Sequence, residues 1–197
     1  RGAGSRDWAK AQFADGKDFV VVQNSAGLAM GVKEAPPEVF AKVVAELARV
    51  KVRAVQVGGP KDPLIEGAID RRGLRLPLSC KLIQDALAVV TIEGFIPYLA
   101  AGAGTPALVL FGPTMIPTFR IEEHLPLTQV KDAGGGRVRP ACPLGTCFWL
   151  RENWSHECLL GKERNERWPH CLNFPTPEEA ARQALALVGA VRKDKAA

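Results

Sequence analysis

The stretch from residue 88 to residue 114, AVVTIEGFIPYLAAGAGTPALVLFGPT, constrains the fold more than any other part of this chain. An apolar run at 88–92 leads through a small-residue helical stretch at 96–103 into a second apolar run at 107–111. Short apolar runs bounded by glycine and proline read as buried strands, so the segment is a strand, loop, helix and strand unit. In an open parallel sheet, ligands bind outside the carboxyl ends of the strands, which places Glu93-Gly94 beside Gly112-Pro113-Thr114. A carboxylate there can accept both hydroxyls of a ribose, and glycine lets backbone N–H groups approach phosphate oxygens with no Cβ in the way. Ordinary strand-end turns, with Gly-Pro simply stopping a strand, are the alternative at both places.

The rest of the chain repeats the βα pattern. Strands are predicted at 19–23 and 53–57, with helices at 37–50 and 81–87, and a short strand near Leu74 and Leu76. Pro36-Pro37 opens the first helix, where the missing N–H costs nothing. Pro60 and Pro63 restrict the turn around Lys61-Asp62, which reads as a loop beside the site. This order implies an α/β fold, a doubly wound, Rossmann-like parallel sheet. With 197 residues, 47% hydrophobic and 24% charged, the chain can build one core of ordinary domain size. Three consecutive glycines within 133–139 read as a flexible lead out of a nucleotide-binding domain at 1–136. A Cys-rich segment at 137–175 and a final helix within 176–197, packing back on the domain, complete the expected organisation.

At YLAAGAGTPALVLFGPT the chain resembles the ADP-heptose:lipopolysaccharide heptosyltransferase superfamily, in which an acidic-Gly turn, a helix rich in alanine and a Phe-Gly-Pro-Thr turn follow one another. Upstream, Val32-Lys33-Glu34-Ala35-Pro36-Pro37-Glu38 is similar to the family's Lys-Arg-Trp-Pro-x-Glu, and Val55-Gln56-Val57-Gly58-Gly59-Pro60 to its strand before a Gly-Gly-Pro turn. The resemblance covers almost the whole chain. It implies the C-terminal, donor-binding half of a two-domain GT-B glycosyltransferase, with Lys33 as the phosphate-binding lysine. Tyr98 stands where the helix usually carries histidine, and Glu34 and Ala35 where basic and tryptophan residues are common. A loop lysine is usually just solvated, but at a helix start after the first strand it can oppose a pyrophosphate held by helix amides. The nucleotide-binding residues expected are therefore Lys33, Glu93, Gly94, Gly112, Pro113 and Thr114.

The net charge of +5 is dispersed over Lys51 and Arg53, Arg71-Arg72 and Arg75, Arg137 and Arg139, and the basic run from Arg192 to Lys195. It lacks the aromatic interleaving of a nucleic-acid platform, and nucleic acid is not an expected partner. No run reaches the ~18 apolar residues of a transmembrane helix. The start at Arg1 shows no secretory pattern, so a cytoplasmic location is expected, and the missing initiator methionine points to a longer protein.

Cys142, Cys147, Cys158 and Cys171 form C-x4-C-x10-C-x12-C, interleaved with Trp149, Trp154 and Trp168. In a reducing compartment such clustering favours thiolate coordination of zinc or iron, with disulfides and free thiols as alternatives. His156 and His170 read as polar neighbours, and Cys80 as a small buried apolar side chain. The resemblance implies a precedent here as well. Autotransporter heptosyltransferases carry a cysteine-coordinated iron finger near the C-terminus and assemble into rings, so a homo-oligomer is compatible with this chain. The finger could equally pack on its own domain.

The family's catalytic carboxylate belongs to an N-terminal acceptor domain that nothing here matches. Asp62, Asp85 and Asp132 read as surface carboxylates, and the base is unassigned. Two functions follow from the sequence. One is the nucleotide-sugar-binding half of an inverting, heptosyltransferase-like enzyme. The other is a metal-fingered interaction module that keeps the fold without transfer chemistry; the residues at Glu34, Ala35 and Tyr98 favour it, while the ordered Lys33, Glu93 and Phe-Gly-Pro-Thr positions favour the first more.

Overall fold

The computed structural model of the chain describes residues 18–27, 31–114, 125–127, 130–132, 138–140, 157–166, 170–172 and 175–196. In chain order the elements are β1 (Phe19–Gln23), α1 (Pro37–Arg49), β2 (Arg53–Gln56), β3 (Ile69–Asp70), α2 (Leu76–Asp85), β4 (Ala88–Ile92), α3 (Phe95–Ala103), β5 (Ala107–Leu110), β6 (Leu125–Leu127), β7 (Val130–Asp132), β8 (Val138–Pro140), α4 (Leu159–Glu163) and α5 (Pro177–Ala196). Short 3-10 turns occupy Gly31–Lys33 and His170–Leu172.

Six strands pair in parallel in the order β3-β2-β1-β4-β5-β6. The apolar runs are continuous because parallel strands are covered on both faces, and β1 and β4 are buried along their whole length. Alternation then sorts side chains by face. Val20, Val22, Val90 and Ile92 join a core with α1 and α5, whereas Phe19, Val21, Val89 and Val109 join one with α2 and α3. Helix α1 offers Val39, Phe40, Val43, Val44 and Leu47 as one buried stripe, and α5 packs against the same helix. The sheet is doubly wound. The chain leaves β1 toward β2 and returns on the other side of β1 as β4, so the strand order reverses between them.

Two expectations fail locally. The strand placed near Leu74 and Leu76 is instead the two-residue β3 at Ile69–Asp70, and Leu76 begins α2, which runs to Asp85 rather than starting at residue 81. Pro77 in the first turn explains the early start, since proline is accommodated there and its fixed φ suits the helix. Within 133–139, read as a flexible lead, Val138 and Arg139 belong to β8, which pairs antiparallel with β7.

Candidate functional site

Polar residues collect where the strands end. Gln23, Asn24, Ser25, Gln56 and Thr91 are all buried. They are connected. Gln56 Nε2 donates to Pro63 O at 2.8 Å and to Asn24 Oδ1 at 3.2 Å, while its Oε1 accepts from Ile65 N at 2.8 Å. Asn24 Nδ2 donates to the same Pro63 carbonyl at 3.1 Å, and Thr91 Oγ1 donates to Gln23 Oε1 at 2.7 Å. Buried amides with both ends satisfied hold a loop in one conformation, so this network fixes the path of the chain beyond β2.

A second set of bonds shapes the outer part of that loop. Asp62 Oδ2 accepts from Gly59 N at 2.7 Å, and the Arg72 guanidinium donates to the Asp62 carbonyl. Asp70 receives Arg72 Nε at 2.9 Å and Nη2 at 2.8 Å. These bonds, with the Arg72 backbone N–H, hold the Asp70 carboxyl down at about 2. Its folded value lies below its ordinary one, so the contribution is present above the ordinary range and lost only as pH falls through about 2. The Arg72 anchor is thus intact from mildly acid to neutral pH.

The two loops bound a cleft of about 330 Å³ at the carboxyl ends of β1, β2 and β4. Its lining brings Ser25, Gly27, Gly58, Gly59 and Asp62 together with Leu74, Ser79, Phe95, Ile96 and Leu99. Gly94 also lines it, as the residue preceding α3, with no side-chain cap on the helix. Its φ of 164° is extended backbone, and an added Cβ would meet nothing within 4 Å. Neither conformation nor packing demands glycine there, and the space a side chain would take belongs to the cleft. At this helix end the free amides and the positive end of the dipole favour an anion.

The other expected residues meet beside this cleft rather than in its lining. Lys33, Glu93 and Thr114 come from the segments following β1, β4 and β5, and all three are buried. Lys33 Nζ lies 2.5 Å from Glu93 Oε2, and Thr114 Oγ1 donates to the same oxygen at 3.2 Å. Gly112 and Pro113 supply the turn that delivers Thr114. Sequence reasoning expected these residues together and did not foresee that two of them neutralise each other. It missed Asn24, Ser25, Gln56 and Ser79, although a Gln-Asn-Ser run directly after an apolar strand was a readable signal. Tyr98 is 49% exposed on α3, outside the cleft lining.

Of the expected metal ligands, Cys142 and Cys147 lie outside the described residues. Cys158 and Cys171 carry no disulfide. Cys158 Sγ accepts from the backbone N–H groups of Gly161 and His170, both at 3.3 Å, and Cys171 follows His170 directly. Among the described residues, no three His, Cys, Asp or Glu side chains come together as a metal site. His170 Nδ1 pairs with Glu166 at 2.9 Å. Cys80 is partly exposed rather than buried. Among the described residues, no helix is long and apolar enough to cross a membrane.

No family model and no curated protein matches the chain. Solved structures do. The E. coli ADP-heptose lipopolysaccharide heptosyltransferase II aligns with a TM-score of 0.64 and 16% identity, over 95% of this chain and 52% of that one. A family 9 glycosyl transferase from Veillonella parvula gives 0.64 and 17%, over 95% and 52%. The iron-containing dodecameric glycosyltransferase TibC from enterotoxigenic E. coli gives 0.61 and 15%, over 90% and 46%. The chain shares the fold of these glycosyltransferases. It spans about half the length of each, and at such identities the likeness is one of architecture.

Proposed function

We propose that this chain is the nucleotide-sugar-binding half of a heptosyltransferase-like glycosyltransferase, with ADP-heptose or a related nucleotide diphosphate sugar as donor. The observation that carries this reading is the cleft at the strand-order reversal, where Gly94 leaves the first turn of α3 open. The diphosphate occupies that turn, with Gly112 and Pro113 shaping the adjoining backbone. Lys33 turns from Glu93 to the phosphates, and the released Glu93 carboxylate, steadied by Thr114, accepts ribose hydroxyls. Transfer by inversion needs a base for the acceptor hydroxyl, while cationic and helix-amide stabilisation assists the departing diphosphate. This chain supplies the second part, and an acceptor-binding domain the first. The expected setting is cytoplasmic.

Isothermal titration of ADP tests the reading. Lys33→Gln and Glu93→Gln are each expected to weaken binding by about 1.5–3 kcal/mol, as for hydrogen bonds to charged partners. Unchanged affinity would remove both assignments. A second reading, a non-catalytic interaction module, is favoured by the Lys33–Glu93 pair, which satisfies both charges with no ligand. Wild-type protein that binds none of ADP, UDP and GDP would decide for it.

Both readings include a structural zinc or iron held by Cys142, Cys147, Cys158 and Cys171. The two N–H···S bonds to Cys158 suit a thiolate ligand, since they stabilise sulfur-borne charge. Such an ion would fix the local chain and leave transfer chemistry to the other residues. TibC, itself iron-containing and dodecameric, makes a homo-oligomer the natural assembly to test alongside. Elemental analysis should find about one zinc or iron per chain, lost in Cys158→Ser and kept in Cys80→Ser. Metal-free protein with all four thiols titratable would reject the site.

A further inference from the structure

A second groove, of about 420 Å³, lies between α2 and α3 and shares only Leu99 with the lining of the cleft. Cys80 enters it from α2, and Tyr98 and Gly102 enter it from α3. From Phe95 to Ala103, α3 has no charged residue, yet Phe95 and Tyr98 are 60% and 49% exposed. A helix at a monomer's surface ordinarily turns charge to water, so a bare apolar face of this kind marks a contact. Phe95, Tyr98 and Gly102 follow one another at spacings of three and four residues and therefore share one face of α3. Glycine weakens a helix interior, and here the fold does not require it, because an added Cβ at Gly102 would meet nothing within 4 Å. The face thus carries aromatic bulk toward one end and a gap toward the other.

We propose that this groove seats a second copy of the chain, with α3 packed antiparallel on the α3 of its mate. A face with a bump at one end and a hole at the other is complementary to itself reversed, as a two-fold contact requires, and it sets each Tyr98 against the other copy's Gly102. Charge selects the same occupant. The chain carries a net charge of +5, which repels a copy in general, but Lys81, the charged residue of the groove lining, is ion-paired with Asp85 one turn along α2. The groove is therefore neutral, whereas a nucleic acid or an anionic membrane would need unpaired cations there. Two helices ~15 Å long and ~10 Å across present a face smaller than the ~800 Å² per partner of a standard interface, which makes the dimer weak and concentration-dependent.

Sedimentation velocity of the wild type, Gly102→Glu and Tyr98→Glu, from dilute to concentrated protein and with thermal unfolding of each, tests the face. The wild type should pass from monomer to dimer as its concentration rises. Gly102→Glu fills the gap without touching its own chain, and Tyr98→Glu replaces the aromatic ring by a charge that the contact would bury unpaired. Each should weaken the dimer on the order of 100-fold or more and leave the fold intact. Cys80 gives a readout that needs no substitution, because the groove places it under the second copy. Its alkylation by N-ethylmaleimide, followed by peptide mass spectrometry, should slow several-fold between dilute and concentrated wild type. A wild type that stays monomeric overturns the proposal. A dimer undiminished in folded Gly102→Glu puts the contact elsewhere, the Cys-rich segment included, and also overturns it. Should both variants unfold, a slowed Cys80 reaction upholds the face and an unchanged one overturns it.

Discussion

Glu93→Ala is expected to lower stability by about 3–5 kcal/mol, the usual cost of removing one partner from a buried ion pair. Lys33 is only 9% exposed, and Glu93 is 6% exposed. The loss is not the strength of the bond. It is the expense of leaving an ammonium shielded from water with nothing opposite, and the Thr114 hydroxyl also loses its acceptor. Urea unfolding would measure it. The double variant Lys33→Met, Glu93→Leu should recover most of the loss, because apolar groups of similar size remove both desolvation costs together. A single variant as stable as the wild type would mean that the pair is open to solvent in solution.

Gln56→Ala should cost about 3 kcal/mol, since the Ile65 N–H is left without its acceptor and the Asn24 carbonyl without its donor, in a fully buried place. Gln56→Leu separates the two contributions. It fills the volume and should still lose roughly 1–3 kcal/mol from the unpaired groups. Denaturant unfolding of the pair gives the difference directly, and a Leu variant at wild-type stability would reduce the network to space-filling.

The sheet was legible because its strands are covered on both faces and therefore written as unbroken apolar runs. Phe19–Gln23 and Ala88–Ile92 are recovered residue for residue. β3 was not, because two residues cannot express a period, and the apolar Leu74 and Leu76 nearby gave a stronger false signal. Those leucines face the cleft. In the site, the convergence of Lys33, Glu93 and Thr114 follows from where parallel strands end, which sequence order can supply. Their mutual pairing depends on side-chain reach across three loops, which it cannot. Gln56, a polar residue within an apolar strand, was a signal left unread, whereas the bracing of Asp62 depends on the route its loop takes past the end of β2.

Glu93 and Gly94 are consecutive, yet one is fastened to Lys33 and Thr114 and the other borders open space. A single peptide unit therefore joins a sealed charge to an exposed helix start. On the nucleotide-sugar reading, a phosphate bound over Gly94 competes with Glu93 for Lys33. Occupancy of the cleft and integrity of the ion pair are then linked, with the Glu93 carboxylate holding the lysine in the place a phosphate would take.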